Sequence, residues 1–170
     1  DDTTATTSRR SIVTRTYQRR LCQAIVDLPL NPDLSMIEQE RIVSGSLDPI
    51  FSSFLSSSNA DENEDDKNDH DGITPLMVAC DKGNTVCLRY FLGQIEKMQS
   101  IKLDAAAMVN SIIGTPFSKS NRDKNTALHH YAASVVAPTA VATSSAILGA
   151  IGILEQIATT QQVAGGSSQS

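Results

Sequence analysis

A chain of 170 residues with 40% hydrophobic residues, 4% aromatics and no Trp has material for one compact domain, its core built from Ala, Ile, Leu and Val rather than from rings. A net charge of −5 excludes a strongly basic nucleic-acid binder, because phosphates meet no positive field. The acidity is local: seven acids and Lys67 between Asp61 and Asp71 carry −6, and the other 159 residues together carry +1.

Residues 1–10 are polar and Thr-rich without periodicity, and disorder is expected there. The first twenty residues carry +3 through Arg9, Arg10, Arg15, Arg19 and Arg20, read as a solvated helix face. Tyr17, Leu21, Ala24, Ile25 and Leu28 recur at helical spacing, which predicts a helix from Arg15 to Leu28. Leu28-Pro29 and Asn31-Pro32 stop it. A second helix is expected from Ser35 through Met36, Ile37, Ile42 and Val43, ended by Gly45. Asp48-Pro49 then reads as cap and first turn of a third, with Ile50, Phe51, Phe54 and Leu55 inward. Residues 11–58 thus form an N-terminal helical region, followed by an acidic loop over 59–71. No segment alternates with period two, so the fold class is all-α.

The next segment is the most informative. Thr74 suits an N-cap, since its hydroxyl accepts an orphan amide of the first turn, and Pro75 suits the position after it. Leu76, Ala79 and Cys80 share one face of a two-turn helix, and Gly83 suits the left-handed residue that ends it. A second helix follows through Val86, Leu88, Phe91, Leu92 and Ile95. Such a hairpin cannot bury its faces alone, and the pattern does return: Thr126-Ala127-Leu128-His129 repeats Thr74-Pro75-Leu76-Met77.

These segments resemble the ankyrin repeat. The first unit matches at Gly72, Thr74, Pro75, Leu76, Ala79, Gly83 and Leu92, with Met77 where the family has His. The second matches at Thr126, Leu128, His129 and Ala132, with Lys124 at the usual Gly and Ala127 at the usual Pro. The two threonines stand 52 residues apart, so about nineteen are inserted relative to a period of about 33. The insertion falls between Gly93 and Asn121, where Met98, Ile101, Met108, Val109, Ile112 and Ile113 predict extra helix. A second insertion is placed at 137–143, and the outer helix of the second unit at Ala146–Thr159. Its stripe of Ile147, Leu148, Ile151 and Leu154 is expected to pack on Leu128, Leu88 and Phe91, with Gly149 and Gly152 at close backbone approaches. Ile42-Val43-Ser44-Gly45 with Ile50, Phe54 and Leu55 reads as a worn first repeat acting as a cap, and 161–170 as a flexible tail.

The resemblance implies stacked helix-turn-helix repeats with an N-terminal helical cap. It also implies a non-catalytic protein–protein interaction module or scaffold whose partner is unidentified. No cofactor is expected. In the ankyrin pattern His129 is structural, tying the turn to the Thr hydroxyl; His130 then points away and is expected exposed. Cys80 and Cys87 lack ligand spacing for zinc and read as small buried hydrophobes. Aligning Gly72 with the obligatory glycine of a calcium loop puts Lys67 and Val78 at ligand positions, so that motif fails. No nucleophile elbow, phosphate loop or paired acid–base arrangement occurs, so the chain is not read as an enzyme. Two alternatives remain open from sequence. The first is a membrane-proximal tether using 135–157, because Tyr131–Leu154 has no formal charge; Pro138, five Ser or Thr residues and much Ala stand against it. The second is a divalent-cation response of the acidic loop. Three cysteines and no Asn-x-Ser/Thr acceptor favour an intracellular setting, cytoplasmic or nuclear. A start at Asp1 rather than Met reads as a piece of a longer protein.

Overall fold

The computed structural model describes residues 2–29, 33–56, 73–101, 103–117, 124–136 and 144–165. Among these residues there are seven helices and no strand: α1 (Asp2–Val26), α2 (Met36–Ser56), α3 (Pro75–Asp81), α4 (Thr85–Ile101), α5 (Leu103–Ile113), α6 (Ala127–Val135) and α7 (Ser144–Gly165). They stack as pairs. In an inner layer α3 lies between α1 and α6; in an outer layer α4 lies between α2 and α7. The core runs between the layers, through Leu21, Val43, Leu47, Leu76, Leu88, Phe91, Ile95, Leu154 and Ile157.

Polar and aromatic contacts register the first pair on the rest. The Tyr17 ring packs on Phe54 at 5.2 Å between centroids, and its hydroxyl lies 2.8 Å from Ser53 Oγ. Phe51 meets Phe91 edge-on at 6.4 Å, which joins α2 to α4. Tyr90 donates to the Asp48 carboxylate across the same seam.

The structure departs from the periodicity in several places. Helix α1 begins at Asp2, not near Arg15, and so includes residues for which polar composition predicts disorder. No Gly or Pro occurs before Pro29 to interrupt it. The two helices expected on either side of Gly45 are one, α2, with Pro49 inside. An interior proline costs about 3 kcal/mol. The continuous stripe of Val43, Leu47, Phe51 and Phe54 is buried, each side chain contributing roughly 1.5–3 kcal/mol, so burial outweighs the proline. Met36 and Ile37, in the first turn of α2, remain exposed.

The insertion after Gly93 is helical, as expected: α4 runs on to Ile101 and α5 follows. Val109, Ile112 and Ile113 are buried, whereas Ile101 and Met108 face out. α5 packs on α4 and reaches α1 and α7. Gln18 Nε2 donates to the Ser111 carbonyl at 3.2 Å, and Gln161 Nε2 to that of Gly114 at 2.8 Å.

Helix α7 packs on α4 as expected, but with a different stripe. Ala150, Leu154, Ile157 and Gln161 are buried, Ile147 and Ile151 only half-buried, and Leu148 is 70% exposed. A Cβ at Gly149 or Gly152 would meet nothing within 4 Å, so no close backbone approach explains these glycines. The helix also continues to Gly165, past the expected end at Thr159. The rotation follows from the neighbours: α4, α5 and α6 lie against one side of α7.

Burial ranks the consequences. Leu154→Asp is expected to lower the unfolding free energy by about 4 kcal/mol, and Ile151→Asp by only about 1–2 kcal/mol, because the half-buried carboxylate keeps water. Urea denaturation followed by circular dichroism orders the two. Equal losses would place Ile151 in the core.

Candidate interaction surface

The inner layer is positioned by caps that the sequence announces. Thr74 is extended (φ −100°, ψ 159°), and its hydroxyl accepts from the Met77 amide at 3.2 Å. Pro75 opens α3, where its missing N–H costs nothing. Gly83 ends the helix at φ +63°, and the Gly83 and Asn84 amides return to the Cys80 and Ala79 carbonyls. Leu76 and Ala79 are fully buried. Gly72 and the acidic loop lie outside the described residues, as does the insertion at 137–143.

Thr126 repeats the device more fully. Its hydroxyl accepts from the His129 amide at 3.3 Å, while His129 Nδ1 accepts from the Thr126 amide at 3.1 Å. The two side chains also meet at 2.8 Å. This reciprocal capping box is the structural role expected for His129. Leu128 is half-buried against the core. Met77, at the corresponding place in α3, is 1% exposed; an apolar side chain there serves the core rather than the cap.

Of the two histidines, His130 departs from the expectation that it is exposed. His129 is exposed at the helix start, while His130 is half-buried, with Nδ1 3.7 Å from Asp81 Oδ1. That contact bridges α6 and α3, because adjacent inner helices bring their facing edges together. Cys80 and Cys87 are buried as expected, and burial pushes both thiols up to about 12 from 9.0. Among the described residues no group of three His, Cys, Asp or Glu is placed to hold a metal, and no helix is long and apolar enough to cross a membrane.

Three features escaped the sequence reading. Asn84 Oδ1 accepts from the Cys87 amide at 3.1 Å and caps α4; an Asn two residues before the apolar run was the available signal. Lys124 stands at φ +60°, the left-handed conformation that a glycine adopts without strain and that Lys tolerates poorly. Gly114 stands at φ +91°, and a Cβ there would lie 2.5 Å from Thr74 Cγ2. The end of α5 is thus seated on the cap of α3.

The chain matches the family model described as ankyrin repeats, three copies, over residues 42–141. It belongs to the ankyrin repeat family. No curated protein and no solved structure matches it. The match begins at Ile42 inside α2 and ends at residue 141, so it includes α3 to α6 and leaves α1 and α7 outside; the two segments read as a worn first repeat, on either side of Gly45, lie in the single helix α2. Helix α5 stands between the second and third helix pairs.

Exposed side chains on the inner helices include Arg15 and Arg19 on α1, Asp81 and, just past it, Lys82 at the end of α3, and His129 on α6. The capping residues hold that surface in register. Lys124→Gly is expected to raise stability by up to about 1 kcal/mol by relieving the left-handed strain. Thr74→Val should lower it by about 1 kcal/mol through the lost cap, and Gly114→Ala by about 2 kcal/mol through clash and positive φ. Thermal unfolding of the three variants gives the order. An unchanged Gly114→Ala midpoint would detach α5 from Thr74.

The buried thiols set the alkaline limit. Between pH 9 and about 12 the unfolded chain releases protons that the folded state retains at Cys80 and Cys87. Their contribution is complete below pH 9 and is lost as pH rises towards about 12. Burial and the Asp48 carboxylate raise Tyr90 as well, adding to the loss above pH 10. Urea denaturation at increasing pH should show this fall, and Cys80→Ala with Cys87→Ala should make it shallower, the remainder coming from Cys22 and Tyr90.

Proposed function

We propose that this chain is a non-catalytic interaction module whose inner-helix layer takes a protein partner. The observation that carries the reading is the side-by-side placement of α1, α3 and α6 over one continuous core. Stacked pairs of this kind spend their apolar residues on each other and leave the outer side chains free to vary. The exposed residues on or next to these helices include both charges, among them Arg15, Arg19, Asp81 and Lys82. A surface of this kind discriminates partners by charge arrangement more than by apolar area.

The intracellular setting, cytoplasmic or nuclear, belongs to the same reading. Three free cysteines, two of them fully buried, support a reducing compartment. A membrane tether through 135–157 is not favoured, since α7 starts only at Ser144 and carries Glu155 and five glutamine or threonine residues in its second half.

The test is binding with the fold held constant. A partner captured from cell extract is purified and titrated calorimetrically against the parent chain and against Arg19→Glu with Lys82→Glu. Both positions are exposed, so the unfolding free energy should change by no more than ordinary surface substitutions do, about 0.5 kcal/mol. Affinity is expected to fall about tenfold or more, the equivalent of about 1.4 kcal/mol. Unchanged affinity would move the interface off the inner layer.

A further inference from the structure

We propose that α5 is a clasp joining the first helix pair directly to the third, so that the stack opens as one unit and not pair by pair. Stacked repeats ordinarily touch only their immediate neighbours, and each end pair can then open at its own, lower cost. Here α5 lies against α1 and α2 of the first pair, α3 and α4 of the second, and α7 of the third. Its apolar side is sealed, with Val109, Ile112 and Ile113 each 0% exposed.

The observation that carries the proposal is where the buried polar side chains go. Among the described residues three are buried: Gln18, Thr126 and Gln161, each 8% exposed. Thr126 caps its own helix. The other two, from the first helix and the last, both donate to carbonyls at the end of α5. Gln18 Nε2 on α1 reaches that of Ser111 at 3.2 Å, and Gln161 Nε2 on α7 that of Gly114 at 2.8 Å. Burying an amide is costly unless it is hydrogen-bonded, so each glutamine is stable in its place only while α5 is in its own. The same short stretch is also seated on the middle pair, since a Cβ on Gly114 would lie 2.5 Å from Thr74 Cγ2. One turn of chain therefore touches α1, the cap of α3 and α7. Opening either end pair alone breaks a bond to α5 and uncovers its apolar side. With that support gone, α5 holds the opposite end less firmly, and the two ends become coupled. The proposal rests on the packing of α5 and holds whatever the inner layer binds.

The experiment is native-state hydrogen exchange of the whole chain, read by NMR through a series of urea concentrations below the unfolding transition. In the parent, the amides of Leu21 and Ile25 in α1 and of Leu154 and Ile157 in α7 are expected to exchange through one opening, with the same free energy and urea dependence. Ile157→Val, which removes one buried methyl group from α7, should lower the protection of both sets alike, by about fivefold. Gln18→Met with Gln161→Met keeps the side-chain length and removes both donors. In that background α7 should open separately from α1, and the effect of Ile157→Val should be confined to α7. Each glutamine variant alone gives the same comparison with one end released. Separate openings of α1 and α7 in the parent overturn the proposal. So does an effect of Ile157→Val that still reaches α1 when both donors are gone, because the unity of the stack then comes from elsewhere.

Discussion

Everything in this fold depends on a seven-residue helix that cannot stand alone. α3 is two turns long, and isolated helices shorter than about 12–15 residues are marginal in water. Its stability comes from its place. Pro75, Leu76, Met77, Ala79 and Cys80 are all buried, because α1 flanks it on one side, α6 on the other, and α4 returns beneath it. Five buried side chains out of seven leave no solvent face along most of the helix. The cap at Thr74 and the left-handed Gly83 fix where it begins and ends, so that its neighbours can be built to match.

The insertion shows how such a stack absorbs extra chain. α5 does not break the layers. It is held at its end by Gln18 and Gln161, which donate to the Ser111 and Gly114 carbonyls, and by the seating of Gly114 on Thr74. Carbonyls left over at a helix C-terminus need donors, and here side chains from α1 and α7 supply them. The first and third pairs are thereby joined through an element that the repeat itself does not contain. Gln99 adds a further tie, donating to the Thr160 carbonyl at 2.7 Å.

The two repeat units also divide labour differently at one position. His129 completes a capping box in the last pair, whereas Met77 is buried in the middle pair. A helix with a neighbour on each side gains more from apolar volume than from a second capping bond. In α6 the corresponding side chain, His129, is exposed and serves the cap instead. The same difference in surroundings explains why Cys80 is sealed while Ala132 is open.

What the sequence determined by itself is local. The caps at Thr74 and Thr126, the stop at Gly83 and the buried thiols follow from residue chemistry over three or four positions, and the structural part of His129 from the resemblance to the ankyrin repeat. For the same reason the family could be read from Thr-Pro-Leu and its return. Tertiary structure decided the rest. It carried α2 through Gly45 and Pro49, because one continuous buried stripe is worth more than the proline costs. It turned α7 so that Ala150, Leu154 and Ile157 rather than Leu148 face inward, since three helices lie on that side. It brought His130 to Asp81 and Gly114 to Thr74 across 49 and 40 residues of chain. Periodicity specifies that a helix has an apolar face; only the neighbours specify which way that face must point.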